Sequence, residues 1–527
     1  MPNNNKYNLV AENSQSTVVT EYTQDKKRAE HYQGEAELER AFIEQLKSQA
    51  YEYVALTSED DLVLNLRKQL EKLNDFVFTD SEWDQFFESE IANPNQSIAE
   101  KTTTIQEDYI KNLTHDDGTV KNVYLLKKDN IHDNCLQVVN QYATEDGKRA
   151  NRYDVTVLVN GLPLVHIELK RRGVAIQEAF NQINRYQRES FWASAGLFEY
   201  VQLFVISNGT HTKYYSNTTR SEHIKEASGS TAKKGKRSSN SFEFTSWWAD
   251  STNRPITDLM DFAKTFFAKH TLLNILTRYC VFTSDRQLLA MRPYQIVATE
   301  KILNRVEVST NYKKLGTVEA GGYIWHTTGS GKTLTSFKTA QLVSKLPYVE
   351  KVLFVVDRKD LDYQTMLEYD KFEKGAANSN TSTAILKRQL EDPNARIIIT
   401  TIQKLDHFIK RNKGHALFDE HVVLIFDEAH RSQFGDMHAG ITKTFKNYHL
   451  FGFTGTPIFA VNASSGGRID LKTTEQAFGD KLHTYTIVNA IADKNVLPFK
   501  VDYISTVHEA ENIEDKKVSD IDREAVL

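Results

Sequence analysis

The stretch Gly321-Gly322-Tyr323-Ile324-Trp325-His326-Thr327-Thr328-Gly329-Ser330-Gly331-Lys332-Thr333 decides the fold. A short apolar run enters a glycine-rich turn, and Leu334 to about Ser344 then reads as a helix. Strand, turn and helix in this order make a phosphate cradle. The glycines let the backbone fold tightly, so its N–H groups and the helix N-terminus face an anion. Gly329, Ser330 and Gly331 form the turn, Lys332 supplies charge to β- and γ-phosphates, and Thr333 offers a hydroxyl to Mg²⁺. The strict G-x-x-x-x-G-K-[ST] pattern has glycine where this chain has His326, and a helix-capping turn is the plainer reading of the loop alone.

Outward from the turn, the runs KVLFVVD, RIIITT, HVVLIFD and HLFGFTG alternate with helical segments between residues 351 and 455. Strands apolar on both faces, interleaved with helices, predict a parallel sheet covered on both sides. HVVLIFDEAH sets Asp427 and Glu428 at the carboxyl end of a strand, where ligands bind in open α/β sheets. Asp427 is expected to hold Mg²⁺ through water, and Glu428 to orient and activate the attacking water. An acidic pair at a strand end is often only solvated; following a phosphate loop, it points to ATP.

Taken together, TTGSGKT, DEAH and Phe453-Thr454-Gly455-Thr456-Pro457 resemble motifs I, II and III of superfamily 2 helicases and translocases. Met291-Arg292-Pro293-Tyr294-Gln295 looks like the element that reads adenine, with Gln295 as the contact and Arg292 beside it. Residues 352 to 364 and 397 to 405 look like the strand-end segments that touch the DNA backbone. By the same resemblance, Thr454 and Thr456 couple nucleotide state to DNA grip.

A second constellation lies upstream, where RYDVTVLV and PLVHIELK read as two strands joined at Asn160-Gly161. Alternation puts Glu168 and Lys170 on one face of their strand. A two-residue loop with regular pairing sets Asp154 opposite Ile167, on the wrong face. A three-residue loop, Asn160-Gly161-Leu162, pairs Val159 with Pro163 and sets Asp154 opposite Glu168, so an odd-length loop is predicted. Asp154 and Glu168 would then ligate Mg²⁺ together with the Leu169 carbonyl. Lys170 would position the attacking water or offset charge at the scissile phosphate. The plainer alternative is an ordinary salt bridge on a solvated strand face.

D-x13-E-x-K is similar to the PD-(D/E)xK nuclease core, although Tyr153 stands in the proline position. Gln182 and Tyr186, four residues apart on a helix face, match the Q-x-x-x-Y element that accompanies this core in type I restriction subunits. As plain chemistry such a pair is more often a packing contact. Glu35 and Glu39 lie on a helix predicted over 35–53, where that family carries acidic residues near the metal; an exposed helix face is the alternative. The text around these motifs resembles the family over essentially the whole chain, which is identified as a member of the HsdR-type restriction subunits.

That resemblance implies a PD-(D/E)xK-type nuclease domain with a linking helix over 1–280, then a RecA-like parallel-sheet motor lobe over 281–485. The start of a second lobe is expected over 486–527. It implies ATP and Mg²⁺ as cofactors, double-stranded DNA as substrate, and modification (methyltransferase) and specificity subunits as partners. Because no further helicase motif precedes Leu527, a fragment that binds ATP but hydrolyses it poorly is expected. The competing readings are a superfamily 2 ATPase whose first domain binds DNA without cutting it, and a truncated assembly module.

The bulk properties fit. A chain of 527 residues predicts two or three domains. No apolar run approaches the roughly 18 residues of a membrane span, and no secretory signal opens the chain. Cys135 and Cys280 are far apart without metal-ligand spacing, which points to a reducing cytoplasm. A net charge of −5 decides nothing about nucleic acid, because a basic groove can sit on an acidic protein. Residues 1 to about 30 read as loose, 219–241 as a Ser/Lys-rich surface insertion, and 256–276 as the helical link between domains.

Overall fold

The computed structural model describes residues 16–24, 33–115, 117–144, 151–189, 196–217, 241–356, 369, 372, 382–427, 436–460 and 473–496. The opening helix, Glu35–Ser48, buries Leu38, Phe42 and Leu46 along one face. Its acidic first turn and Lys47 in its last turn suit the helix dipole. It ends before the predicted Tyr53 because Ala50 turns left-handed, at φ 68°. The chain then continues as an extended strand.

The strands of the first domain are β1 (Glu52–Tyr53), β2 (Ile110–Thr114), β3 (Val120–Tyr124), β4 (Leu136–Thr144) and β5 (Asn151–Val159). They continue as β6 (Leu162–Leu169), β7 (Leu203–Ser207), β8 (Thr212–Ser216) and β9 (Ser246–Trp247). β2 and β3 form a separate hairpin, and the rest make one sheet in the order β1-β4-β5-β6-β7-β8-β9. β6 and β7 run parallel, while β4-β5 and β5-β6 are antiparallel. The segment read as a link is two helices, Leu259–Phe266 and Lys269–Thr277, whose buried residues join a core cluster that runs from the first sheet to Met291, Ile296, Val297 and Leu342 of the second domain. Phe267 meets Phe42 edge-on at 5.3 Å, and its carbonyl accepts from Tyr51 Oη at 2.7 Å.

A hairpin of β10 (Cys280–Phe282) and β11 (Leu288–Ala290) leads into the helix Pro293–Asn311 and the second sheet. That sheet contains β12 (Gly322–His326), β13 (Lys351–Val356), β14 (Ile397–Thr401), β15 (His421–Phe426), β16 (Asn447–Thr454) and β17 (Lys481–Tyr485). Every pairing is parallel, in the order β14-β13-β15-β16-β12-β17. Alternate residues of β13 enter different cores. Leu353 and Val355 join the helices around Leu386 and Leu405, whereas Val352 and Phe354 meet Ile302 and Phe337. This is the doubly covered parallel sheet that the apolar strands predict.

Residues 16–24 are bound rather than loose. Thr17 N–H donates to Glu300 on the helix Pro293–Asn311, the Thr17 carbonyl accepts from Thr271, and the Val19 carbonyl accepts from Ser251 N–H. The extended start thus lies across both domains. Residues 218–240, which carry nearly all of the predicted insertion, and 497–527, which carry most of the predicted second lobe, lie outside the described residues. Among the described residues no helix is long and apolar enough to cross a membrane.

Candidate nuclease and nucleotide sites

The structure brings Asp154 and Glu168 together, but not by the device predicted. The turn is the two-residue Asn160-Gly161, with φ 52° and 85°, and Val159 pairs with Leu162. Regular pairing would leave Asp154 on the wrong face. The register instead shifts between Leu158 and Val157: Leu158 pairs with Pro163, Val157 with Val165 and Val155 with Ile167. Leu164 is the extra residue, a bulge that performs the correction assigned in advance to a longer loop. Continuing that register sets Asp154 opposite Glu168. The tight turn is also required by packing, since a Cβ on Gly161 would lie 2.7 Å from the Leu66 Cα.

Asp154 Oδ2 accepts from Leu169 N–H at 2.9 Å. Lys170 Nζ donates to Glu168 Oε1 at 3.0 Å and to the Leu169 carbonyl at 2.9 Å. Desolvation, and then the charge of Glu168, pushes Asp154 up to about 7; the Leu169 N–H and Lys170 pull the other way. Desolvation pushes Glu168 up to about 7 against the attraction of Lys170.

A residue not singled out in the sequence adds to the surroundings. His166, two positions before Glu168 on the same strand face, places Nε2 3.6 Å from Glu168 Oε2, and burial lowers it to about 4, so it stands neutral. Alternation along β6 is the signal that could have found it. Tyr186 Oη donates to the Arg152 carbonyl at 2.9 Å and accepts from Gln182 Nε2. Burial first and the charge of Glu168 second push its phenol to about 12. This helix pair therefore braces the strand that carries Asp154. Glu35, Glu39 and Asp154 line one cleft, in which Glu39 accepts from Asn140 and Gln141.

The donor set suits a hard cation. Glu168 is fully buried, and its Oε2 has no hydrogen-bond partner among the described residues. No group of three or more His, Cys, Asp or Glu there could hold a metal. Mg²⁺ keeps several waters and needs only one or two carboxylates plus phosphate oxygens, so Asp154 and Glu168 are enough for it.

At the second site, β12, β16 and β15 are consecutive in the sheet, and their carboxyl ends carry Thr327, Thr454 and Asp427. Gly329 and Gly331 take φ of 78° and 77°, and Gly331 caps the helix Lys332–Val343. Thr333, in the first turn of that helix, is half-buried. A Cβ on Gly455 would lie 3.6 Å from Lys332 Nζ and 3.5 Å from Thr328 Oγ1, so the segment after β16 closes over the loop. Asp427 N–H donates to the Val355 carbonyl. Glu428 lies outside the described residues, as does the stretch 357–364.

Gln295, expected at adenine, bridges two backbone groups. Its Oε1 accepts from Arg292 N–H at 2.9 Å, and its Nε2 donates to the Ser330 carbonyl at 3.0 Å. Tyr294 Oη donates to the same carbonyl at 2.8 Å. The two side chains hold the loop. His326, in the place of the pattern's first glycine, is fully buried and meets His483 Nδ1 at 2.9 Å. A glycine there is unnecessary because this position is still strand.

Fold and sites together define a two-domain α/β protein, in which a RecA-like motor lobe follows a PD-(D/E)xK-type nuclease domain. The model of the type I restriction enzyme R protein N terminus matches residues 32–223, and the SWI2/SNF2 ATPase model matches residues 294–526. The EcoprrI endonuclease subunit of Escherichia coli is 48% identical over 307 residues, which are 58% of this chain and 93% of that protein. The SsaAORF53P endonuclease subunit of Staphylococcus saprophyticus is 42% identical over 494 residues, 92% of this chain and 48% of that protein. The chain belongs to the family of type I restriction enzyme endonuclease subunits. It spans about half the length of the staphylococcal relative.

Proposed function

We propose that this chain is the nuclease and first motor lobe of a type I restriction enzyme, cleaving double-stranded DNA with Mg²⁺ and driven along it by ATP. The observation that carries the reading is the cluster of Asp154, Glu168 and Lys170 on one bulged hairpin, in the same chain as the phosphate loop. Asp154 and Glu168 would hold Mg²⁺, which when bound supplies Lewis acidity at the scissile phosphate. Lys170, withdrawn from Glu168 as charge builds on the phosphate, neutralises part of that charge. Gln182 and Tyr186 act as positioning residues behind β5. At the motor, Gly329 to Thr333 would cradle the phosphates of ATP, Asp427 would hold its Mg²⁺, and Glu428 would orient the attacking water. Modification and specificity subunits, as partners, choose the DNA site.

The test is cleavage and ATP turnover measured in parallel on the assembled complex. Glu168→Ala and Lys170→Ala are expected to stop cleavage and leave turnover in place, and omitting either ATP or Mg²⁺ to stop cleavage of the unmodified complex. Unchanged cleavage by Glu168→Ala would overturn the nuclease assignment. Cleavage independent of ATP would overturn the motor assignment.

A further inference from the structure

The cleft beside Asp154 also holds cations that the metal chemistry does not use. It measures about 600 Å³, and Glu35, Glu39 and Asp154 line it together with Arg40, Lys47 and Arg152. Lys47 is taken by Glu44 at 2.8 Å. Arg40 and Arg152 are exposed and make no ion pair among the described residues. A DNA strand brought to this cleft meets the carboxylates as like charges, so holding it there requires cations beside them.

Arg152 lies two residues before Asp154 on β5, hence on the same strand face. The register that sets Asp154 opposite Glu168, carried two residues further, brings Arg152 level with Lys170. The face therefore presents a row of two carboxyls and, next to it, a row of two cations. Two residues of extended strand span about 6.7 Å, close to the spacing of successive phosphates along one DNA strand. With the scissile phosphate at Asp154, a guanidinium one row away meets the neighbouring phosphate, and its fork of N–H donors matches the phosphate oxygens.

The peptide of Arg152 is also held from behind. Tyr186 Oη donates to its carbonyl at 2.9 Å, and the Tyr186 ring meets Tyr153 edge-on at 5.1 Å. Tyr153 occupies the opposite face of β5 and is buried. The Gln182–Tyr186 pair thus reaches the site through the backbone of Arg152.

We propose that Arg152 binds the DNA phosphate next to the scissile one, and that Gln182 and Tyr186 act on cleavage through it by fixing its carbonyl. This rests on the reading of Asp154 and Glu168 as the nuclease centre. Arg152 is then a substrate-binding residue, and the helix pair positions it.

The experiment is single-turnover cleavage by the assembled complex, with ATP turnover recorded alongside and salt and Mg²⁺ varied. Arg152→Ala is expected to slow cleavage about 10- to 100-fold, the worth of a charge-assisted contact, at unchanged ATP turnover. The log–log slope of rate against salt should become shallower by about one, the mark of one phosphate contact removed. Arg152→Lys keeps the charge and the slope and recovers part of the rate. Tyr186→Phe slows cleavage in the parent but adds nothing to Arg152→Ala. An unchanged salt slope in Arg152→Ala would overturn the phosphate contact. So would a raised Mg²⁺ requirement, which would mean that Asp154 itself had been disturbed. Losses that multiply in the double variant would sink the link to Tyr186. Glu168→Ala, run in parallel, separates the proposal from the reading beneath it. Cleavage that survives this change defeats the nuclease centre, whereas cleavage lost there but kept in Arg152→Ala defeats the role of Arg152 alone.

Discussion

The hairpin that carries Asp154 and Glu168 and the turn that carries Lys332 both serve phosphate chemistry, by opposite means. At the hairpin, Glu168 is buried and Asp154 half-buried, and desolvation pushes both carboxyls up to about 7. At the turn, the groups that face an anion are backbone N–H donors and the start of a helix, and Gly329 and Gly331 are exposed. The hairpin depends on a strand register corrected by one extra residue. The turn depends on two glycine dihedrals. A site made of side chains on paired strands is set by long-range packing, whereas one made of backbone is set within a few residues.

That contrast can be broken or sharpened by experiment. The largest effect is expected at the hairpin. Glu168→Gln keeps the side chain's size but removes its charge, and should lower cleavage by more than about 100-fold, beyond the loss typical of groups that merely support a metal ligand. ATP turnover by the same complex should not move. At the turn, Lys332→Ala should raise the ATP dissociation constant about 10- to 100-fold, the worth of a charge-assisted hydrogen bond. An intact affinity would mean that the phosphates lie elsewhere.

Gly161 tests the packing beneath the hairpin. With φ at 85° and the Leu66 Cα 2.7 Å from a new Cβ, Gly161→Ala should cost about 1–3 kcal/mol of stability. Thermal unfolding would register this, and an unchanged melting temperature would show that the turn can relax. The smallest effect concerns pH. The folded value of Asp154, about 7, stands above its ordinary value near 4. Its contribution to stability is therefore complete below about 4 and is lost as pH rises through 7. Without divalent metal, Asp154→Asn should melt higher than the parent at pH 8 and show no advantage at pH 4. Mg²⁺ binding to the parent near pH 6 should release protons, measurable by titration in buffers of different ionisation heat.

The residues show unevenly how far the sequence could be read. Gly329, Gly331 and Lys332 were legible because strand, turn and helix follow one another directly. Asp154 and Glu168 were legible as a pair, but the bulge at Leu164 was not. Leu162, Pro163, Leu164 and Val165 are all apolar and buried, so no alternation of polar and apolar residues marks where the register slips. The helices over 259–277 were legible from their apolar pattern, but not that their core runs on to Met291, Ile296 and Val297, because which element a buried face meets is not written in its periodicity.

The amino-acid sequence by itself determined the motifs, the doubly covered parallel sheet and the family, because each rests on local periodicity or on short, ordered signatures. Tertiary structure alone decided that a bulge at Leu164 sets the register, that burial pushes both carboxyls up, and that Gln295 holds the phosphate loop. The physical reason is common to all three: register, desolvation and hydrogen-bond partners depend on groups brought together from distant parts of the chain, which local conformational preference does not encode.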